Sequence, residues 1–149
     1  MKLYHGTSDA FLGRILREGL LPRRRGGYGN WDHTVPSNER AVYLTSMYSI
    51  HYAKQAASIM GGSLLLLEIE VDMLDARRLC PDEDFLAQSE AACGHQPPGS
   101  TLQERTEWYR DSAELYRDAW MRSVKELGTC SYYGEIPPAT ITRYADRKS

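Results

Sequence analysis

The longest strongly apolar run in the chain is only four residues long, and alternating acidic and apolar positions follow it. The run is Leu64 to Leu67, and Glu68-Ile69-Glu70-Val71 continues it. A membrane-spanning helix needs about 20 consecutive apolar residues, so this run is too short to cross a bilayer. Alternation with a period of two is typical of a strand with one buried face. We predict a strand from Ser63 to Val71, central in its sheet.

A length of 149 residues is typical of one domain. Hydrophobic residues make up 42% of the chain and charged residues 26%, which indicates a folded globular protein and excludes a disordered one. The segment from Met1 to Gly6 has one basic side chain and lacks the apolar core of a signal peptide. We therefore expect a single domain over residues 1–149, located in the cytoplasm and without a membrane partner.

Glycine and proline residues divide the chain into short segments. Further strands are predicted at Leu3 to His5, Ala41 to Thr45, Thr129 to Tyr133 and Ile141 to Tyr144. Helices are predicted after Gly6-Thr7-Ser8, from Ser46 or Ser49 to Met60, and for about 25 residues from a capping box at Thr101-Leu102-Gln103-Glu104. Residues 22–40 are predicted as a long loop, and residues 73–100 as loop in which a short helix can lie between the breaks at Pro81-Asp82-Glu83-Asp84 and Pro97-Pro98-Gly99. This order predicts an α+β fold with a mostly antiparallel sheet flanked by helices.

Three cysteines, Cys80, Cys93 and Cys130, are an odd number and stand far apart, which favours free thiols over a disulfide framework. Structural zinc sites usually have two pairs of ligands, each with a spacing of about two to four residues. Cys93 and His95 form one such pair and no second pair accompanies them in the sequence. We therefore expect no metal.

Charge is distributed unevenly, although the net charge is only -2. Residues 1–60 have eight Lys and Arg against four Asp and Glu, whereas residues 61–126 have seven against fourteen. The basic front of the chain favours an anionic ligand in that region. The acidic middle is typical of a solvated helix and loop. The net negative charge argues against a general nucleic-acid coat.

Three short segments contain residue types that take part in chemistry. Tyr4-His5-Gly6-Thr7 ends a strand before a helix, where a glycine allows a ligand to approach the backbone and a helix start offers free N–H groups. Val42-Tyr43-Leu44-Thr45-Ser46 is a second strand-to-helix junction, with an aromatic ring and two hydroxyls. Gly134-Glu135-Ile136-Pro137-Pro138 is a turn with an acid. Taken singly, they are a structural histidine, a buried tyrosine with capping hydroxyls and a solvated turn.

Taken together and in this order, the three segments resemble the ADP-ribosyltransferase superfamily of the diphtheria-toxin and poly(ADP-ribose)-polymerase type. The family's signature is a His, a Tyr and a Glu from three separated strands of a small split sheet. The resemblance runs from Leu3 to Tyr144 and includes Leu3-Tyr4-His5-Gly6-Thr7-Ser8, Ile15-Leu16-Arg17-Glu18-Gly19-Leu20, Val42-Tyr43-Leu44-Thr45-Ser46 and Leu66-Leu67-Glu68-Ile69-Glu70-Val71. It implies a small split, mostly antiparallel sheet, as in the small bacterial or phage-type members.

The resemblance implies that the chain uses NAD+ as a co-substrate and transfers ADP-ribose to a protein, a nucleic acid or a small molecule. It implies that His5 bonds the adenosine ribose, that the backbone of Gly6 pairs with the nicotinamide carboxamide, and that Tyr43 stacks on the nicotinamide ring. Thr7, Thr45 and Ser46 belong to the implied cofactor site. Guanidinium groups match phosphate oxygens, so Arg14, Arg17 or the run Arg23 to Arg25 is expected at the pyrophosphate.

The catalytic acid is where the chain departs from the family pattern. Cleavage of NAD+ builds positive charge on the ribose, which a carboxylate near its 2′-hydroxyl would stabilise. In many relatives a Glu stands a few residues before the Gly-x-Ile-Pro-Pro turn, and the position five before Gly134 is Thr129. Either Glu135 is the acid, or Glu126 or a carboxylate of residues 82–84 replaces it, or the acid is absent. We take Glu135 as the predicted acid.

Two other functions stay open at this point. A chain without the acid would be a non-catalytic module that binds NAD+ or ADP-ribose. An NAD-dependent RNA 2′-phosphotransferase-like enzyme is related in fold, although its further His and Arg positions cannot be matched here. Acceptor specificity is expected in residues 22–40 and 73–100. In the first of these loops, Tyr28, Trp31 and Arg23 to Arg25 combine rings with positive charge, as single-stranded nucleic-acid sites do.

Overall fold

The computed structural model describes residues 1–22, 37–46, 49–88 and 101–144. Within these residues, six strands form one sheet: β1 (Lys2–Ser8), β2 (Ala41–Thr45), β3 (Leu64–Glu70), β4 (Leu79–Pro81), β5 (Thr129–Tyr133) and β6 (Ile141–Tyr144). The same residues contain five α-helices: α1 (Leu12–Glu18), α2 (Ser49–Met60), α3 (Glu83–Gln88), α4 (Leu102–Leu115) and α5 (Trp120–Leu127). The α+β class predicted from the sequence is confirmed.

The sheet is divided into two halves near its middle. Its strand order is β4-β5-β2-β1-β3-β6, and neighbouring strands are antiparallel. β1 pairs with β3 from Lys2 opposite Glu70 to Ser8 opposite Leu64, and β2 pairs with β5 over its whole length. Between the described strands β1 and β2, by contrast, the register includes a single pair, Tyr4 opposite Thr45. The predicted split sheet is therefore present, and the split lies between β1 and β2.

The strand β3 shows the alternation that its sequence predicts. Leu65, Leu67 and Ile69 are buried and the residues between them are partly exposed, because successive side chains of a strand point to opposite faces. β3 lies between β1 and β6, with a paired neighbour on each side. The predicted strand is therefore confirmed, although it is one residue shorter at each end because a 3-10 turn begins at Val71.

Two apolar clusters lie on opposite faces of the sheet. Leu79 and Cys80 are neighbours in β4 and belong to different clusters, as strand alternation requires. The larger cluster includes Ile15 of α1, and Trp120 of α5 packs against it. The smaller cluster is formed with α3 and α4 and contains Cys80, Phe85, Leu86, Tyr109 and Ala113. The side chains near β4 and β5 are therefore buried on both faces.

The single long helix predicted from Thr101 is two helices in the structure. Its capping box is confirmed, since the Thr101 side chain accepts a bond from the Glu104 N–H and the Glu104 side chain accepts one from the Thr101 N–H. α4 ends at Leu115, which is 76% exposed, and a 3-10 turn at Arg117–Ala119 separates it from α5. The break lets Trp120 reach the larger cluster. The prediction of one continuous helix of about 25 residues was therefore wrong.

A strand lies within residues 73–100, which the sequence predicted as loop. β4 is three residues long and pairs with β5 at the edge of the sheet. Three residues are too few for a periodic pattern, and Pro81, which lacks an N–H, is tolerated at a sheet edge. β4 is important for the site because Asp82 follows it directly and α3 begins one residue later.

β1 also extends further than predicted, through Gly6 and Thr7 to Ser8. Ser8 then caps a 3-10 turn, since its Oγ accepts a bond from the Ala10 N–H at 3.2 Å. Gly6 lies opposite Leu66 within the β1–β3 pairing. The helix start predicted after Gly6-Thr7-Ser8 is confirmed, with Ser8 as the cap of the 3-10 turn that leads into α1, and Gly6 itself lies within the strand.

Candidate functional site

Tyr43 is the residue at which β1, β2 and α3 meet. Its hydroxyl accepts a hydrogen bond from the Asn38 N–H at 2.6 Å and donates one to Glu83 Oε2 at 2.8 Å. Its carbonyl accepts a bond from His5 Nδ1 at 2.9 Å. The residues on either side of it in β2 are buried in the larger cluster, so the Tyr43 side chain lies on the other face of the sheet. Three separated parts of the chain are thus joined at one tyrosine.

His5 contacts Tyr43 across the split in the sheet. It lies opposite Leu67 of β3 and on the same face of β1 as the buried Leu3 and Thr7. Because a carbonyl only accepts hydrogen bonds, His5 Nδ1 is the donor in this contact. The structure therefore brings the His5 ring to the main chain of Tyr43, and this bond connects the two halves of the sheet where their strands are not paired.

Two buried acids stand close to Tyr43, at the junction between β4 and α3. Glu83 is 3% exposed and Asp82 is 8% exposed. Glu83 Oε2 accepts the Tyr43 hydroxyl bond, whereas its Oε1 has no hydrogen-bond partner in the described part of the chain. The Thr129 side chain bonds the Asp82 carboxyl. Glu83, one of residues 82–84, thus contacts Tyr43. A carboxylate from these residues is one of the alternatives to Glu135 that the sequence left open.

Ser123 holds Asp82 in position. Ser123 is fully buried in α5, where its Oγ accepts a bond from the Asp82 N–H at 3.0 Å and donates one to the Thr129 carbonyl at 2.7 Å. The Asp82 side chain in turn accepts a bond from the Asp84 N–H at 2.8 Å, as a helix-capping residue does. One hydroxyl therefore ties the β4–α3 junction to β5.

The two acids differ in charge at neutral pH. Burial and the nearby charge of Asp82 raise the pKa of Glu83 to about 8, although the bond from the Tyr43 hydroxyl opposes this. Burial raises the pKa of Asp82 to about 6, and the bonds from the Asp84 N–H and Thr129 limit the rise. At pH 7 Asp82 is mainly charged and Glu83 mainly protonated. Paired acids with separated pKa values are typical of sites that assign them different roles.

Asn38 extends this network towards α4. Asn38 is 8% exposed, and its Nδ2 donates a bond to the Tyr133 hydroxyl at 2.7 Å. The Tyr133 hydroxyl donates to the Arg110 carbonyl at 3.4 Å. Burial raises the pKa of Tyr43, with Glu83 and Asp82 adding to the effect, so its hydroxyl keeps its proton. The sequence gives no sign of Asn38, since an asparagine before a strand is common in ordinary turns.

The other predicted cofactor residues of β1 and β2 lie along the split and have structural bonds. Thr45 is 4% exposed, and its Oγ1 donates to the Tyr4 carbonyl at 3.4 Å. Ser46 donates to the Gly128 carbonyl through its N–H at 2.8 Å and its Oγ at 3.3 Å. Thr7 is buried and Gly6 is half-buried. These residues therefore form the walls of the split rather than a row of exposed polar groups.

The structure does not bring Glu135 to this group. Tyr43 lies opposite Ser131 in β5, and the strand ends at Tyr133, opposite Ala41. Glu135 follows two residues later and is exposed, in a turn after Gly134. Its side chain therefore starts beyond the end of the β2–β5 ladder, which lies about 7 Å along β5 from Ser131 at 3.3 Å per residue. This placement argues against the prediction of Glu135 as the acid.

Glu126 and Arg14, two further candidates, also lie away from Tyr43. Glu126 is exposed on α5 and pairs with Arg122 at 3.3 Å. Arg14 is exposed on α1 and pairs with Glu18 at 2.9 Å. Arg17, also exposed, donates to the carbonyl one helical turn before it. The run Arg23 to Arg25, together with Tyr28 and Trp31, lies outside the described residues.

Cys80 and Cys130 are buried and free, as predicted. Cys93 and His95 lie outside the described residues. In the described part of the chain, no group of three or more His, Cys, Asp and Glu side chains is arranged to hold a metal ion. None of the helices in the same part has the length and apolar character needed to span a membrane.

No protein-family model matches the chain, and no curated protein or solved structure matches it. The likeness to ADP-ribosyltransferases therefore depends on the chain's own residues. These are the motifs around His5 and Tyr43, the split antiparallel sheet on which they lie, and the acids beside Tyr43.

Proposed function

We propose that the chain is an NAD+-dependent ADP-ribosyltransferase, which cleaves NAD+ between nicotinamide and ribose and transfers ADP-ribose to an acceptor. The observation that supports this best is the pair of contacts at Tyr43: the His5 ring bonds its carbonyl across the split between β1 and β2, and its hydroxyl bonds Glu83, which stands beside Asp82. The resemblance implies a His, a Tyr and a Glu from three separated strands. His5 and Tyr43 match the first two, whereas the acids come from the junction between β4 and α3. The acceptor is a protein, a nucleic acid or a small molecule.

Asp82 is the proposed catalytic carboxylate. As the bond to nicotinamide breaks, positive charge develops on the ribose, and a fixed carboxylate stabilises this charge more in the transition state than in the ground state. Asp82 is mainly charged at neutral pH, is held by Ser123, and is near enough to raise the pKa of Tyr43. Its partner Thr129 occupies the position at which many members of the resembled family have the acid. The Asp82 carboxyl therefore supplies charge where Thr129 has none.

His5 and Tyr43 are proposed to bind NAD+. His5 would bond a ribose hydroxyl, as the resemblance implies, while its Nδ1 bonds the Tyr43 carbonyl. The Tyr43 ring would stack on the nicotinamide. Both side chains are held by hydrogen bonds to other parts of the chain. Groups that are fixed before binding lose less conformational entropy when the ligand arrives.

A non-catalytic module that binds NAD+ or ADP-ribose is the second candidate. The observation in its favour is Thr129 at the expected acid position, together with the mainly protonated state of Glu83. In such a module Asp82 would serve only as the cap of α3, through its bond from the Asp84 N–H.

Incubation of the purified chain with NAD+ labelled in its nicotinamide separates the two candidates. We expect release of free nicotinamide above the rate without protein, because the fixed charge of Asp82 stabilises the developing cation. Calorimetry under the same conditions measures NAD+ binding independently. Binding without any nicotinamide release over several hours would contradict the transferase and support the module, whereas measurable turnover would exclude the module. NAD+ labelled in the adenylate, added with cell lysate, would then identify the acceptor class.

A further inference from the structure

We infer that Glu83 is a neutral positioning residue, whose protonated carboxyl holds the Tyr43 ring in place, and that it is not the charged acid of the site. The inference rests on the proposed function where it concerns turnover. Where it concerns the protonation of Glu83, it rests on the structure alone.

Glu83 is a buried carboxyl whose hydrogen bonds come from the Tyr43 hydroxyl and from its own backbone N–H. It is 3% exposed, its Oε2 accepts the Tyr43 hydroxyl bond at 2.8 Å, and its Oε1 has no partner among the described residues. None of the ion pairs in the described part of the chain includes Glu83. Burying an ionised carboxylate without a cation costs far more than burying the neutral acid. The neutral acid keeps the bond to Tyr43 and avoids a buried charge.

The groups beside Glu83 in the sheet and in its own segment favour this neutral form. Asp82 and Asp84 precede and follow it, and both disfavour a further negative charge. β2, β4 and β5 present Tyr43, Cys80 and Tyr133 to it, and none of these is a cation. Burial and this surrounding raise the pKa of Glu83 to about 8, even with the opposing bond from Tyr43.

No cation of the described helices packed on α3, Arg105 of α4 with its buried Nε included, is among the groups that act on the Glu83 carboxyl. On α5, the Arg122 guanidinium pairs with Glu126 and lies 5.5 Å from the centre of the Phe85 ring. On α4, Arg110 pairs with Asp111 at 3.3 Å. Glu114 of α4 and Arg117 of the following turn act on the Cys80 thiol. Among the described residues, therefore, these helices do not neutralise an ionised Glu83.

Glu83 acts on the site through the Tyr43 hydroxyl. The Asn38 N–H occupies the acceptor side of this hydroxyl and Glu83 Oε2 occupies its donor side. With both directions filled, the ring has one preferred orientation. Ionisation of Glu83 would place a second negative charge beside Asp82 and favour movement of the Glu83 carboxyl towards water. The orientation of the Tyr43 ring is therefore expected to be lost at alkaline pH.

The pH dependence of stability tests the protonation of Glu83 without any turnover. Its pKa is higher in the folded chain, at about 8, than the ordinary value of about 4.3 in the unfolded chain. The folded state thus holds a proton that the unfolded state has released, and stability falls as pH rises from about 4.3 to 8. Glu83→Gln keeps the size of the side chain and an oxygen for Tyr43, but it does not titrate. We expect the Tm of the wild-type chain to fall by at least about 5 °C relative to Glu83→Gln between pH 5 and 8.

The matched control is Glu107→Gln, which removes an exposed carboxyl from α4. Its Tm should follow that of the wild-type chain across the pH range. Parallel curves for the wild-type chain and Glu83→Gln would overturn the inference, because they would mean that Glu83 is ionised in the folded state as in the unfolded one.

Nicotinamide release gives the second readout. At pH 7 we expect Glu83→Gln to lose no more than about threefold in kcat and Glu83→Ala to lose at least about tenfold, because only glutamine leaves the Tyr43 hydroxyl an acceptor. The fall in wild-type activity expected above pH 8 should be absent from Glu83→Gln. A folded Glu83→Gln as inactive as Glu83→Ala would overturn the inference. A wild-type chain that releases no nicotinamide would refute the proposed function, and the stability curves would still decide the protonation of Glu83.

Discussion

Replacing Asp82 with asparagine is expected to lower the rate of nicotinamide release by about 10²–10³-fold, with little change in NAD+ affinity. Asparagine keeps the size of the side chain and an oxygen for the Asp84 N–H bond, so the β4–α3 junction is retained. It removes the negative charge, which is proposed to act on the ribose cation of the transition state rather than on bound NAD+. Steady-state kinetics of the purified variant, with a calorimetric titration of NAD+, would measure the two effects separately.

Two further variants make this result specific. Asp118→Asn removes an exposed acid from the turn between α4 and α5, and it is expected to leave turnover unchanged. Glu135→Gln removes the acid that the sequence predicts. If Glu135→Gln abolished nicotinamide release and Asp82→Asn did not, Glu135 would be the catalytic acid. The wild-type rate should also rise with pH through about 6, because the pKa of Asp82 is raised to about 6 and the charged form is the active one.

Tyr43→Ala and His5→Ala are each expected to reduce nicotinamide release at least about 100-fold, because misplaced substrate groups lose most of the advantage of a fixed site. Tyr43→Ala removes the proposed stacking surface and His5→Ala removes the proposed ribose contact. Tyr43→Ala also leaves the Asn38 N–H and Glu83 without their partner, so unfolding in urea should show a loss of about 2–4 kcal/mol.

Tyr43→Phe separates the effect of the tyrosine ring from the effect of its hydroxyl. It keeps the ring but loses both hydroxyl bonds, and we expect about a tenfold fall in turnover, because the stacking surface remains but is no longer held in one orientation. Tyr116→Ala, at the end of α4, is the matched control for tyrosine removal. If folded Tyr43→Ala and His5→Ala both released nicotinamide at the wild-type rate, the site would be misassigned.

A strand or helix was predictable where the sequence pattern within one segment matched the burial or bonding of its side chains in the structure. Leu65, Leu67 and Ile69 alternate in β3 because one face of the strand is buried, and the Thr101 capping box is complete within four residues. β4 was missed because three edge residues have no period. The break after Leu115 was missed because it depends on the packing of Trp120 of α5 against the larger cluster, which is a tertiary contact.

The candidate site was predictable only in part, for a similar reason. His5 and Tyr43 stand in short motifs, so their residue types and order could be recognised. Asp82 and Glu83 approach Tyr43 through the strand order β4-β5-β2, which joins segments 40 residues apart, as the Tyr43–Glu83 bond shows. The one available signal was local: Pro81-Asp82-Glu83-Asp84 lies between the apolar pairs Leu79-Cys80 and Phe85-Leu86, an unusual setting for a solvated loop.

The place where NAD+ binds tests the account most directly. Backbone amide chemical shifts of the isotopically labelled chain, recorded as NAD+ is added, would locate the contact. The account predicts the largest changes on both sides of the split, at Gly6 and His5 of β1, at Tyr43 of β2, and at Asp82. Largest changes elsewhere, such as the groove lined by Leu74, Trp120 and Met121, or no changes at millimolar NAD+, would contradict it.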